Sequence, residues 1–197
     1  MEFEQIKNLY PGIAINGVLS YILKWGMAAA PKMIVELGVS KEALANKVLA
    51  LVAKRYWSMF FSCDIGEFSK VCDYPGWMFH QGDDIEFSKQ WTGPINLLFI
   101  DTDELYPHTK QEIDSWFPHL AKRATVMFRC TNLQKKLYYE DGRITGLGWD
   151  NQRGVIRAIE EYLDMKFNET MPFRTFIDPW EVIHYPWGAG LTVMRRG

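Results

Sequence analysis

Ile95-Asn96-Leu97-Leu98-Phe99-Ile100-Asp101-Thr102-Asp103 is the stretch that decides the fold. Its first six residues are almost wholly apolar, and an acidic pair follows at once. A strand with one wet face alternates apolar and polar side chains. A run that is apolar throughout suits a strand covered on both faces, inside a parallel sheet. Toward the N-terminus the same design recurs. Trp77 to His80 is closed by Gly82-Asp83-Asp84, Trp57 to Cys63 by Asp64, and Met33 to Leu37 by Gly38. After Gly38, Ala43, Leu44, Val48, Leu51 and Val52 recur at helical spacing, with Ser40 placed as the N-cap.

Toward the C-terminus, Tyr106 to Leu120 carries Thr109, Ile113, Trp116 and Phe117 on one helical face, and Ala124 to Phe128 reads as another buried strand. Leu133 to Gly148 is a polar excursion with turn residues at Asp141-Gly142 and Gly146. Asp150 or Asn151 can cap a helix bearing Val155, Ile159 and Tyr162. Glu181 to Tyr185 and Leu191 to Met194 flank Pro186-Trp187-Gly188-Ala189-Gly190 as a hairpin. Ile13 to Ala30 reads as a leading helix stopped by Pro31. Strand and helix alternate over about 130 residues, which predicts right-handed crossovers and a doubly wound α/β sheet. In such sheets ligands bind beyond the carboxyl ends of the strands, where the strand order reverses. That rule singles out Gly38, Asp64, Asp83, Asp84, Asp101 and Asp103, then Arg129, Cys130 and Asn132.

Composition narrows the partners. The 197 residues are 48% hydrophobic and 23% charged, which supports a packed core rather than disorder. A net charge of −2 argues against a general nucleic-acid binder. No apolar run reaches the length of a membrane span, and Met1-Glu2-Phe3-Glu4 lacks a signal-peptide layout. Three cysteines without metal-finger spacing complete the expectation of a reduced, cytoplasmic protein. The 15% aromatic content, with eight Trp, suits a thick core, an aromatic pocket or a homo-oligomer interface.

The strand ends also resemble a known family. Val35-Glu36-Leu37-Gly38 is similar to motif I of class I S-adenosylmethionine (SAM) methyltransferases. Leu98-Phe99-Ile100-Asp101-Thr102-Asp103 followed by Tyr106 resembles the strand-four signature of the branch of small-molecule methyltransferases grouped with cephalosporin-hydroxylase-like proteins. Trp149-Asp150-Asn151 with Gly154 to Glu161 looks like the region before that branch's last helix. The resemblance implies a Rossmann-like, mostly parallel seven-stranded sheet with an antiparallel C-terminal hairpin strand. It implies one domain over residues 1–197, with an N-terminal helical cap over 1–31 and the core over 32–197. It further implies SAM as cofactor and a small-molecule acceptor, methylated at oxygen.

The cofactor-binding residues so implied are Glu36, Gly38, Asp64, Asp83, Asp84 and Asp101. The chemistry agrees: a strand-end carboxylate such as Asp64 can accept both ribose hydroxyls, and Asp83 or Asp84 can accept from the adenine amino group. Phe60, Phe61, Trp77 or Phe79 can flank its ring. Each has a plainer reading, with Glu36 orienting the loop and the aspartates capping helices. Three departures stand out. The loop Gly38-Val39-Ser40-Lys41-Glu42-Ala43-Leu44 has one glycine, where the family has several. Glu104 takes the place of a His often suited to a general base. Strand five ends Arg129-Cys130-Thr131-Asn132 in place of His-Asp-Thr-Asn. Arg cannot ligate a cation, so the expectation is no metal. Asp101, Asp103, Arg129 and His108 are the candidate catalytic residues. His108 stands one helical turn from Glu104 as a substitute base. Arg129 either orients the substrate or neutralises Asp101, which is its favoured partner. Cys130 is more ordinary as a small buried group than as a nucleophile. Tyr138, Tyr139, Trp149 and Trp187 can line an acceptor pocket or pack as core. The other class of function left open is a methyltransferase fold that has lost methyl transfer.

Overall fold

The computed structural model describes residues 17–148 and 152–197. Eight strands form one sheet in the order β3-β2-β1-β4-β5-β10-β9-β8. β1 (Met33–Leu37), β2 (Met59–Asp64), β3 (Trp77–Gln81), β4 (Ile95–Ile100) and β5 (Leu120–Arg129) run parallel. β8 (Phe173–Ile177), β9 (Trp180–Tyr185) and β10 (Leu191–Arg196) complete it as antiparallel strands. A short separate hairpin, β6 (Leu137–Tyr138) with β7 (Ile144–Gly146), turns through Asp141-Gly142.

The apolar runs have the cause expected of them. On one face α1 (Gly17–Ala29) and α2 (Leu44–Tyr56) lay Ile22, Leu23, Val48 and Val52 against Ile34, Phe60, Leu97, Phe99 and Met127. On the other, α3 (Asp84–Ser88), α4 (Tyr106–Trp116) and α5 (Gly154–Leu163) lay Phe87, Ile113, Trp116, Ile156 and Ile159 against Val35, Leu37, Leu98, Ile100, Val126 and Phe128. Both faces of the central strands are thus dry, and every position can be apolar.

Four expectations need correction. The sheet has eight strands rather than seven, because Phe173–Ile177 pairs with β9 at the edge. That strand leaves Arg174 and Phe176 in solvent, so it shows only a five-residue alternation, weaker than a buried run. The hairpin does not simply extend one edge: β10 inserts between β5 and β9. Ser40 does not cap α2. The cap position is Ala43, at φ 50°, and the Ser40 carbonyl accepts the Ala43 N–H at 2.9 Å in the preceding turn. The cap position of α5 is Arg153, at φ 57°. Asp150, Asn151 and Trp149 lie outside the described residues, as do residues 1–16, which hold the first part of the expected leading helix and helical cap. Among the described residues no helix is long and apolar enough to cross a membrane.

Glu36 is the one charged side chain of β1 and is 1% exposed. Its Oε2 accepts from Asn46 Nδ2 and Ser62 Oγ, both at 2.5 Å, tying α2 and β2 to β1. Burial pushes its carboxyl up to about 8, against the lowering effect of those bonds, so it folds protonated. A carboxyl raised above its unfolded value holds a proton that the unfolded chain has released. Stability therefore falls as pH rises from about 4.5 toward 8. Glu36→Gln removes that ionisation. Thermal melts should show its advantage over the parent growing from about pH 5 to about pH 8. An advantage independent of pH would be the contrary result.

Candidate active site

The strand order reverses between β1 and β4, so the ends of these two strands form the mouth of the crevice. Gly38 leaves β1 at φ +84°, and a Cβ there would lie 2.2 Å from the Asp101 carbonyl oxygen. The two backbones cross this closely because position 38 has no side chain. At the end of β2, Asp64 is half-buried. Its Oδ2 accepts the Val39 N–H at 2.6 Å and its Oδ1 accepts the Gly66 N–H at 2.7 Å. Burial raises the Asp64 carboxyl, and these two N–H groups work against that rise. Asp64 therefore latches the loop after β1. Within that loop Val39 and Ala43 are buried, at 3% and 2% exposed, where a glycine-rich loop would carry no side chains. Glu36, read either as a cofactor residue or as one that orients the loop, is enclosed between α2 and β2 by its bonds to Asn46 and Ser62.

Beyond β4 and β5 a second group assembles. Arg129 Nε stands 3.4 Å from Asp101 Oδ2, the pairing expected of neighbouring strands. Burial raises the Asp101 carboxyl despite the guanidinium beside it. Donor atoms of Asp101, Glu104 and Cys130 lie within 4.8 Å of one another. Burial, and then the Asp101 charge, push Glu104 up to about 7. Its N–H donates to the Thr145 carbonyl at 2.7 Å and its Oε2 accepts the Thr145 hydroxyl at 3.2 Å, so the β6–β7 hairpin laps over it. Cys130, 7% exposed at φ 57°, has its thiol pushed well up by burial and then by Asp101, which leaves no reactive thiolate. Thr131 and Asn132 are buried at 1% and 2%, and the hairpin loop after β9 covers them: Asn132 Nδ2 donates to the Pro186 carbonyl at 2.7 Å.

At the end of β3 the two aspartates separate. Asp83 is exposed and caps α3, its Oδ1 accepting the Glu86 N–H at 2.9 Å. Asp84 is 6% exposed and faces His108, with Oδ1 to Nε2 at 3.4 Å; Glu112 Oε1 is 3.7 Å from the same nitrogen. Burial lowers the His108 imidazole, but the facing carboxylates outweigh it and hold it at about 9. The facing carboxylates favour the protonated imidazole at neutral pH, which works against the substitute-base role read from the spacing of His108 to Glu104. Asp103 is partly buried. Burial raises its carboxyl against the His108 charge.

The aromatic candidates divide. Phe60 is fully buried core, Phe61 packs edge-on against Trp91, and Trp77 Nε1 donates to Ser62 Oγ at 2.8 Å. Tyr138 is exposed on β6, and the Arg143 guanidinium covers the Tyr139 ring. Trp187 is exposed in the loop over β5, stacked on Tyr21 and packed against Tyr185. A cavity of about 450 Å³ lies elsewhere, along α5 between Arg157, Glu160, Asp164 and Lys166. Glu104 is the residue the sequence undervalued. An acidic side chain at a position where relatives carry a base was its only signal.

No family model matches the chain, and no curated protein matches it by sequence. Solved structures do match by shape. The MycE methyltransferase of the mycinamycin biosynthetic pathway, in complex with Mg, SAH and mycinamycin VI, superposes with a TM-score of 0.65 at 13% identity. All of this chain is covered there, and it spans 54% of the MycE chain. A methyltransferase from Geobacter sulfurreducens gives 0.59 at 15% identity over 98% of this chain and 86% of the other. The O-methyltransferase TomG from Streptomyces achromogenes, in complex with SAM, gives 0.60 at 13% over 98% and 87%. At such identities the likeness is one of architecture, and in architecture the chain has the Rossmann-like methyltransferase fold.

Proposed function

We propose that this chain is a SAM-dependent methyltransferase that acts on a small molecule at oxygen. The observation that carries the reading is a group of unsatisfied polar atoms at the strand ends. Among the described residues eight buried side-chain atoms lack a hydrogen-bond partner, and three of them, Asp103 Oδ1, Thr131 Oγ1 and Asn132 Oδ1, stand beyond the carboxyl ends of β4 and β5. A native fold seldom leaves such atoms orphaned, and a polar ligand in the crevice would satisfy them. The residues present also fit the cofactor. Each Asp64 oxygen carries one N–H and keeps a lone pair for a ribose hydroxyl, and exposed Asp83 keeps one oxygen for the adenine amino group.

SAM supplies an electrophilic methyl group on its sulfonium. The chain's own work is to align an acceptor oxygen and take its proton. Glu104 suits the second task. A carboxyl held near 7 is half ionised at neutral pH and close to the pKa a general base needs. Arg129, steadied by Asp101, places a fixed positive charge beside the developing oxyanion. Alignment then does most of the rest. The net charge of −2 favours a small acceptor over a nucleic acid. We further propose that the chemistry is metal-independent, because Arg129 holds positive charge where a cation would sit against Asp101. Adding or withdrawing Mg²⁺ should leave turnover unchanged, and activation by Mg²⁺ would refute this.

Titration calorimetry with SAM and with its demethylated product tests the main reading, with micromolar binding as the expected result. Glu104→Gln should then lower kcat by about 100-fold with SAM affinity nearly intact. The parent's kcat/KM should rise with pH through about 7, and the variant's should not. A second reading rests on the buried Val39 and Ala43 and on the Asp64–Val39 latch. Together they would suit a fold that has given up methyl transfer, and absence of any heat with SAM would select it.

A further inference from the structure

Three side chains from two helices converge on one point beside the crevice: Asp84, the first residue of α3, and His108 and Glu112, one turn apart on α4. Their donor atoms all lie within 4.8 Å of one another. We propose that Asp84, His108 and Glu112 form a binding site for one divalent first-row transition-metal ion, with Zn²⁺ as the natural probe. The site clamps α3 to α4 and goes beyond the methyltransferase reading.

The distances carry the argument. His108 Nε2 is 3.4 Å from Asp84 Oδ1 and 3.7 Å from Glu112 Oε1. A charge-assisted N–H···O bond would close to about 2.7–2.9 Å, so neither contact is a good hydrogen bond. A tetrahedral ion with bonds of about 2.0–2.1 Å holds its donor atoms about 3.3 Å apart, close to both distances from His108 Nε2, and the two carboxyl groups approach each other within 4.8 Å. The unsatisfied atoms point the same way. Asp84 is 6% exposed and Glu112 is fully buried, yet Asp84 Oδ2 and Glu112 Oε2 lack any hydrogen-bond partner. Two buried carboxyl groups face one imidazole nitrogen, and each keeps an oxygen without a partner that a divalent ion would satisfy. The protons on His108 Nε2 and on the Glu112 carboxyl, which burial raises, leave to solvent as the ion enters.

The donor set selects the metal class. One imidazole and two carboxylates suit Zn²⁺ and its borderline neighbours; they offer too few oxygens for Ca²⁺. Three protein ligands leave one position for water. The Thr102 hydroxyl donates to Glu112 Oε1 and so fixes that ligand's orientation, as outer-sphere partners of metal ligands do. The His108 side chain is 25% exposed and marks the entry path. The site is separate from the Asp101–Glu104–Cys130 group, which lies beyond β4 and β5.

The test is a Zn²⁺ titration of the full chain after metal is stripped with a chelator. It is followed by calorimetry and by the shift in melting temperature, neither of which requires methyl transfer. One tight equivalent with a rise in melting temperature is expected. Removing a ligand should cost more than removing an outer-sphere partner, so His108→Ala should weaken Zn²⁺ by at least about 100-fold. Glu112→Gln should do the same, with folding checked by circular dichroism. If Glu112→Gln fails to fold, His108→Ala, at a partly exposed position, decides alone. The parallel variants Asp101→Asn and Cys130→Ser should retain the tight equivalent. No tight equivalent in the parent would overturn the proposal. So would binding that survives His108→Ala, or binding lost only in Asp101→Asn or Cys130→Ser.

Discussion

Replacing Arg153 by Ala should cost about 3 kcal/mol of folding stability or more. The guanidinium binds Glu160 through Nη1 and Nη2 at 2.9 and 2.8 Å, and Glu169 through Nε and Nη2 at 2.6 and 2.7 Å. Glu160 and Glu169 are only 1% and 5% exposed. Without Arg153 both carboxylates stay buried with too little positive charge, since Lys166 reaches Glu160 alone, at 3.2 Å. Leaving one partner of a buried ion pair uncompensated is what makes such substitutions severe. The pH dependence has a definite sign. Burial raises the Glu160 carboxyl, but the Arg153 bonds more than reverse that and hold it below its ordinary value. In the parent this stability is present above the unfolded value of 4.5 and is lost as pH falls. In the variant, acid neutralises the stranded Glu160 carboxylate. The deficit should therefore be larger at pH 7 than near pH 5, in denaturant titrations at both. A deficit that does not change with pH would remove the charge argument. The variant should also loosen the site, because Gly154, next in the chain, packs against the Glu104 carbonyl so closely that a Cβ would lie 2.2 Å from it.

Gly38→Ala should be equally damaging, at about 4 kcal/mol, combining left-handed strain with overpacking. The added Cβ would lie 2.2 Å from the Asp101 carbonyl oxygen and 2.9 Å from the Thr102 nitrogen, both backbone atoms that cannot swing aside. At φ +84° an alanine would be strained even in open space. Relief requires β1 and β4 to part at their ends, which distorts the mouth of the crevice between them. Thermal melts should show the stability loss, and SAM calorimetry a weaker heat. A Gly38→Ala chain as stable as the parent would mean that this crossing is looser than its distances imply.

The parallel half of the sheet was readable from residues alone. Ile95–Ile100 and Met33–Leu37 are buried on both faces, and such burial writes itself as unbroken apolar sequence. The edge strand Phe173–Ile177 was not, because a strand half in solvent leaves only a short alternation. The Arg129–Asp101 pair was legible once β4 and β5 were taken as neighbours, since topology alone places their ends together. The Asp84–His108–Glu112 group was not. His108 was matched to Glu104 by helical spacing, but its partner Asp84 comes from another helix, across space the sequence does not encode. Glu36 stayed open between two roles for a related reason. A strand-end carboxylate serves a ligand or the fold according to the face it takes, and this one lies under α2.

The position of β10 also constrains how the molecule can assemble. It follows β5, β8 and β9 in the chain, yet it lies between β5 and β9 in the sheet. Until β10 is in place the β8–β9 hairpin has no strand to dock on, and β5 presents an open row of backbone donors and acceptors. Unpaired edges of this kind recruit other chains. A partly folded chain without β10 in the sheet therefore exposes an edge that the finished sheet buries. Sheet closure waits on the strand from Leu191 to Arg196.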